Sequence, residues 1–300
     1  MSESLWNTER EQEKYRELWL NKPSSNLDHS ANAWNERAGD WERKLTDEGI
    51  RKKRNEKRIS ETAQYLRSRG VLTPETEIID IGCGPGRFVA EFAKTARLAA
   101  GTDISAKMLE FAADYAAKQG LENTRFIPCD FKQADIKDMG WEKAFDVVFS
   151  SITPAVSTPD AIDKVETMSR KYCFSANFIY TSAEIAEEAY SAVFPGEKKK
   201  KIWDGRSFYA MFNLLWLRGR YPEVRYYKEE EVAPRTVNDE LISEIAWKTG
   251  GREISDAERL KLRDYLLTKA DADGVVTYPS AHWYGWLLWD VNDKGDRDYA

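Results

Sequence analysis

Residues 77–88, EIIDIGCGPGRF, carry an apolar run directly into a glycine cluster and then into residues with helical spacing. An apolar run this short, closed by glycines, reads as a buried strand, and 87–96 (RFVAEFAKTA) as the helix that follows it. Outward from there, 97–103 (RLAAGTD) is a second apolar run ending in an acid. Residues 105–119 (SAKMLEFAADYAAKQ) make a second helix with Ser105 as its N-cap. Strand-like runs recur at 124–128 (TRFIP), 145–150 (FDVVFS) and 172–179 (YCFSANFI). Strand and helix alternating at this spacing predict an α/β fold: a doubly wound, mostly parallel sheet with right-handed crossovers.

The loop after the first strand carries the chemistry. Gly82, Gly84 and Gly86 let the backbone turn sharply and approach a ligand with no Cβ in the way, and the N–H groups at the helix start favour a negative group. The spacing is G-x-G-x-G, not the G-x-G-x-x-G of a dinucleotide site. Asp80 lies inside the strand just before the loop. Asp103 ends the second strand, 21 residues after Gly82, where a carboxylate can accept hydrogen bonds from both hydroxyls of a ribose. The pattern predicts a nucleotide-like ligand. Cys83 reads as a small packing residue of the loop, and Asp146 as a structural acid at the opposite end of its strand.

Four segments, IIDIGCGPGRF (78–88), GTDISAKML (101–109), RFIPCDF (125–131) and FDVVFSS (145–151), occur in the order and spacing of the class I S-adenosylmethionine (SAM)-dependent methyltransferases, which the chain resembles over about residues 60–180. The resemblance implies a seven-stranded Rossmann-like sheet with an antiparallel last strand, SAM as cofactor and S-adenosylhomocysteine as product. It places Gly82, Cys83, Gly84 and Gly86 beneath the methionine part of SAM, with Asp80 holding the amino group. Asp103 takes the ribose, Ile104 packs on the adenine face, Met108 is a further cofactor contact, Asp130 accepts from the adenine amino group, and the Phe131 backbone reads the ring edge. Ser150 is placed near the methyl group. A helix over 29–41 resembles the one that precedes the fold in many family members and lies over the SAM pocket; a lid with Trp34 and Arg37 beside the cofactor is one reading of it, and a helix that only packs against the fold is the other.

Methyl transfer needs alignment, exclusion of water and, where the acceptor carries a proton, a base. His29 and His282 are the two histidines and the two candidates for that base; a satisfied structural role is the competing reading of each. After the fourth strand stands Ser-Ser-Ile-Thr-Pro (150–154), not the Asp/Asn-Pro-Pro-Tyr/Phe of many amino-methylating enzymes, and Thr153 is a candidate acceptor contact. Two basic runs, Arg51 to Arg54 with Lys57 and Arg58, and Lys198 to Lys201, lack interleaved aromatics and read as solvated faces. The cysteines, Cys83, Cys129 and Cys173, lie 46 and 44 positions apart, which is no metal-ligand spacing, so no metal site is expected.

With 300 residues the chain is long enough for a core and appendages. A net charge of −6 provides no global field toward nucleic acid or anionic lipid. No apolar run reaches the about 20 residues of a membrane span, and the first residues carry no apolar signal stretch, so a cytoplasmic protein is expected. Three parts follow: 1–50 an N-terminal helical lid, 51–181 the SAM-binding core, and 182–300 the rest of the sheet with cap insertions at about 182–220 and 235–275. Later strands are expected at 221–231 and 282–291, and helices at 182–193, 237–248 and 255–270, the last with a Ser255/Glu258 capping box. Ten of the eleven tryptophans fall outside the core segment, which suggests an aromatic cap; Tyr209, Phe212 and Trp216 are candidates to line an acceptor pocket, as are Tyr226 and Tyr227. The expected function is methyl transfer to a small, aromatic or amphipathic molecule. An RNA or protein methyltransferase that docks through the cap and lysine loop is the alternative, and a SAM-binding accessory protein without turnover is a third.

Overall fold

A computed structural model describes residues 8–21, 28–46, 49–199 and 205–293, without the side chains of residues 50 and 51. Lys200, Lys201 and Trp203 of the expected loop and aromatic segment lie outside the described residues. Along the chain come α1 (Thr8–Leu20), α2 (Ala31–Thr46), α3 (Ile50–Ser68), β1 (Glu77–Ile81), α4 (Arg87–Ala93), β2 (Leu98–Asp103), α5 (Ala106–Lys118), β3 (Thr124–Pro128) and β4 (Phe145–Ser151). There follow α6 (Asp160–Met168), β5 (Ser169–Ser182), α7 (Glu184–Val193), α8 (Arg206–Leu217), β6 (Glu223–Thr236), α9 (Asp239–Ile245), α10 (Asp256–Leu267) and β7 (Val275–Asp290).

The strands form one seven-stranded sheet in the order β3-β2-β1-β4-β5-β7-β6, parallel from β3 to β5 with the last strand antiparallel. This is the expected Rossmann-like architecture. Ile78, Ile79 and Ile81 of β1 are fully buried, as are Val147 and Phe149 of β4, because helices cover both faces of a parallel sheet. The strand order reverses at β1, with β2 on one side and β4 on the other, so the carboxyl ends of β1 and β4 bound the crevice where such sheets hold ligands. Asp146 sits at the other end, as read from sequence, accepting from the Glu77 N–H (2.8 Å) and from Arg170 Nε (2.8 Å).

Two compact units share this chain: residues 1–177, 206–225 and 285–300, and residues 178–205 and 226–284. The first holds β1 to β4 with α1 to α6 and α8. Ile59, Ala63 and Leu66 of α3 are buried, opposite the basic run, as the amphipathic pattern predicts. Trp286 and Trp289 are buried as well. Trp286 packs against Tyr65 (ring centroids 5.5 Å) and Phe174 (5.8 Å), and Phe174 stacks on Phe149 at 4.8 Å. These two tryptophans therefore belong to the core of the sheet and not to a cap, a correction that follows from β7 entering the sheet between β5 and β6.

The second unit contains α7, α9 and α10 around a core that includes Tyr190, Phe194, Leu241, Ile242, Leu262 and Tyr278. The boundary between the units falls within β5, β6 and β7, each longer than expected: 169–182, 223–236 and 275–290 against 172–179, 221–231 and 282–291. In β7 the run continues through Pro279, a residue without an N–H that reads as a break. The helix expected over 237–248 is α9, which gives way to a π-helical turn over Ala246–Gly250. Gly250 abuts Tyr190, and a Cβ there would lie 2.2 Å from the Tyr190 hydroxyl oxygen. The Ser255/Glu258 capping box at the start of α10 is present in both directions.

Candidate functional site

Gly82 and Cys83 both donate their N–H groups to the Thr102 carbonyl, which turns the chain out of β1 and over the end of β2. Gly82 (φ +69°) and Gly84 (φ +51°) adopt left-handed backbone. At Gly82 a Cβ would lie 2.0 Å from Thr153 Oγ1, so the glycine is what lets Thr153 close over the loop. At Gly84 a Cβ would meet nothing within 4 Å, so this turn faces open space. Gly86 has another job: a Cβ there would lie 2.6 Å from Ala112 Cβ, so it admits α5. Cys83 is buried over Gly101, where a Cβ would meet its Sγ at 2.8 Å. Burial first, then the charges of Asp80 and Asp103, pushes its thiol far up.

Asp103 joins two loops. Its Oδ2 accepts from Gly84 N (2.9 Å) and its Oδ1 from Ser105 N (2.9 Å), and burial raises its carboxyl against the lowering effect of these N–H groups. Asp80 is buried, and burial followed by the charge of Asp103 raises it well above the usual carboxylate range. Among the described residues no basic side chain forms an ion pair with Asp80. Two carboxyls of raised pKa below an open glycine turn are suited to a ligand that brings a positive charge and hydroxyl donors. Among the described residues no group of three or more His, Cys, Asp or Glu is arranged to hold a metal ion.

The other predicted residues are placed as follows. Met108 is buried in the first turn of α5, where its N–H donates to the capping hydroxyl of Ser105 (3.1 Å), and Ile104 is half-buried between Asp103 and that cap. Asp130 is exposed and accepts from the Lys132 N–H (3.1 Å), while buried Phe131 gives its carbonyl to Lys164 Nζ (2.9 Å). Ser150 is buried, its hydroxyl donating to the Phe174 carbonyl (3.4 Å) beside Ser175 Oγ (3.3 Å), so it faces β5. Between Ser150 and Thr153, Ile152 is left-handed at φ +52°, a rare conformation for a β-branched residue, and its N–H donates to Ala176 O. That turn aims Thr153 at Gly82.

At the start of α2, His29 stacks near Trp34 (6.0 Å), and Arg37 lies over the Trp34 ring (5.4 Å) while donating to the Asp28 carbonyl (2.7 Å). Tyr209, Phe212 and Trp216 lie along α8; Tyr209 is 54% and Trp216 44% exposed, and Tyr209 meets Tyr15 of α1 edge-on. His282 belongs to the second unit, with Nδ1 3.1 Å from Thr181 Oγ1, and so do Tyr226, which is exposed, and Tyr227, which is buried. Lys199 of the lysine loop pairs with Glu187 (3.5 Å).

Three residues of this region had no sequence signal. Asn35 Oδ1 accepts from Ser105 Oγ (2.7 Å) and Lys107 N (3.2 Å), and Glu42 pairs with Arg87 (2.6 Å) at the first position of α4. Each is an ordinary polar residue on a helix until the helix is docked. The strain at Ile152 was equally silent, because nothing about isoleucine foretells left-handed backbone.

A family model described as a methyltransferase domain matches residues 72–202. A relative in Haemophilus influenzae, itself uncharacterized, is 21% identical over 232 residues, 76% of this chain and 81% of its own length. Among solved structures, magnesium protoporphyrin IX methyltransferase from Synechocystis PCC 6803 with bound S-adenosylhomocysteine has a TM-score of 0.51 and 14% identity, covering 86% of this chain and 97% of that one. The same enzyme with bound SAM gives 0.49 and 17%, over 69% and 92%. At 14% identity, the likeness to the S-adenosylhomocysteine-bound structure is one of fold alone.

Proposed function

We propose, from the premise that residues 72–202 carry a methyltransferase domain on a class I sheet, that the chain binds SAM and transfers its methyl group to a small-molecule acceptor. The observation that carries this reading is the pair of raised carboxyls, Asp80 and Asp103, set under a left-handed glycine turn at the strand-order reversal. The residues fit the cofactor. Asp80 is a buried acid suited to an ammonium, Asp103 keeps acceptor capacity for a diol beyond its backbone N–H donors, and Gly84 leaves room for backbone approach. Ile104, Met108 and Phe131 supply apolar surface for an adenine, with Asp130 at its edge. When bound, SAM supplies a methyl group already activated on a sulfonium. The chain's own residues then have to hold the acceptor in line and keep water out.

Thr153, closed over Gly82, and the aromatic residues of α8 are our choice for the acceptor side. An aromatic or amphipathic acceptor suits Tyr209, Phe212 and Trp216. The second unit favours a small molecule over RNA: residues 178–205 and 226–284 hold 17 acidic and 12 basic residues, which repels a polyanion. Calorimetry with S-adenosylhomocysteine tests the cofactor. The unaltered chain is expected to bind, and Asp103→Ala to bind at least about tenfold more weakly, since losing a hydrogen bond to a charged group costs about 1.5–3 kcal/mol. No binding, or binding indifferent to Asp103→Ala, would overturn the reading.

A further inference from the structure

Helix α2 touches the site at two points seven residues apart, two turns along one face. Toward its start, Asn35 accepts from Ser105 Oγ and Lys107 N, directly after the Asp103 loop. Toward its end, Glu42 holds Arg87, directly after the glycine loop. Asp103 already ties those two loops together through Gly84 N and Ser105 N. The result is a closed circuit: α2, Ser105, Asp103, Gly84, then along the loop to Arg87 and back to α2.

The Arg87 end is built at a cost. Its side chain is 9% exposed, with the guanidinium packed 3.6 Å from the Tyr115 ring centroid and reaching the Pro85 carbonyl (3.5 Å). Glu42 is 20% exposed, and its Oε2 is buried without a hydrogen-bond partner among the described residues. A half-buried ion pair with one oxygen left over contributes little to stability compared with apolar packing of the same volume. Its geometric effect is specific: it fixes the residue that ends the glycine turn.

We propose that Glu42, through Arg87, and Asn35, through Ser105, are positioning residues that set the spacing between the glycine loop and the Asp103 loop. This rests on the reading of the site as a SAM site. Docking of α2 and occupation of the cradle then reinforce each other, because whatever favours one spacing of the two loops favours both, and such coupling is reciprocal. Neither residue touches the transferred methyl group in this scheme; both act through the loops.

The test uses the full chain with S-adenosylhomocysteine as probe, read by calorimetry and by amide hydrogen exchange. Glu42→Gln keeps the shape and removes the charge; Asn35→Ala removes the other contact. Each is expected to weaken binding by about five- to tenfold, the lower range of typical coupling between sites. The charge-reversed pair Glu42→Arg with Arg87→Glu is expected to recover part of the affinity that Glu42→Arg alone loses. In the unaltered chain the probe should slow exchange of the α2 amides as well as those of 82–105. Melting without probe separates the roles, since a merely structural pair would lower the melting temperature and leave affinity unchanged. If Glu42→Gln does not fold, Asn35→Ala and the exchange experiment decide. Binding by the unaltered chain with both variants equally tight, or with α2 exchange indifferent to the probe, overturns the inference alone. No binding by the unaltered chain overturns the SAM reading and takes this inference with it.

Discussion

Asp80 is a carboxylic acid held where its charged form is costly. Burial is the main cause and the charge of Asp103 adds to it, so the folded carboxyl titrates well above the usual range. The unfolded chain loses this proton near about pH 3.9, whereas the folded chain keeps it to higher pH. In that window the folded state binds more protons than the unfolded one, so stability falls as pH rises from about 4 toward the folded value. Replacing the acid removes this liability. Ligand-free Asp80→Asn is therefore expected to melt higher than the unaltered chain at pH 8 and to differ little at pH 4, while losing affinity for S-adenosylhomocysteine. A melting temperature that falls at pH 8 would show that the carboxyl is satisfied in the free protein. For the unaltered chain at a pH between about 4 and the folded value, binding an ammonium ligand should release a proton, seen as a calorimetric enthalpy that varies with the buffer's ionisation enthalpy. The two acids and the glycines could be read from sequence because their spacing is local; the engagement of Ser150 with β5 could not, because Phe174 and Ser175 lie 24 and 25 residues away.

Among the elements, α10 was the most legible after the central strands. Its N-terminus is stated by two residues, Ser255 and Glu258, whose bonds are made within three positions of each other. Arg252 and the Ser255 bonds hold the Glu258 carboxyl down at about 2. Ser255→Ala is expected to lower stability to urea by about 1 kcal/mol, the usual worth of an N-cap, and to raise the Glu258 titration seen by NMR. The lowered Glu258 value favours the folded state above the unfolded pKa, and that contribution fades as pH falls toward about 2. An unchanged urea midpoint would mean that Arg252 alone sets this helix start. β6 was less legible. Its outer half, KEEEVAPRT (228–236), alternates buried or half-buried with exposed positions, yet its buried or half-buried positions include Glu229, Glu231 and Arg235 while Val232 is exposed, so no period in hydrophobicity marks the strand. It is an edge strand, and its charges and Pro234 are what an edge carries against pairing with another chain.

On the scale of the molecule, Trp286 is the residue whose meaning changed most. A tryptophan near the end of the chain reads as part of a cap; in the structure it is buried in an aromatic run with Tyr65, Phe174 and Phe149, and Arg225 lies over its ring at 5.4 Å. Trp286→Ala is expected to cost about 3–5 kcal/mol in chemical denaturation, as for large aromatics in cores. A cost below about 1 kcal/mol, typical of an exposed site, would restore it to the surface. The acidity of the chain is also unevenly held, since the second unit accounts for five of the six excess negative charges.

By itself the sequence determined the parallel sheet, its glycine turn, the two acids and the capped helix, because each depends on hydrophobic period or turn chemistry within a few residues. Tertiary structure alone decided which tryptophans are core, how far β5, β6 and β7 run, and that Asn35 and Glu42 brace the loops around Asp103. Glu42 and Arg87 are 45 positions apart, and neither carries a local pattern that names the other. Such pairs exist only after apolar burial has fixed the helices, and polar contacts formed at that stage leave no period in the chain to be read.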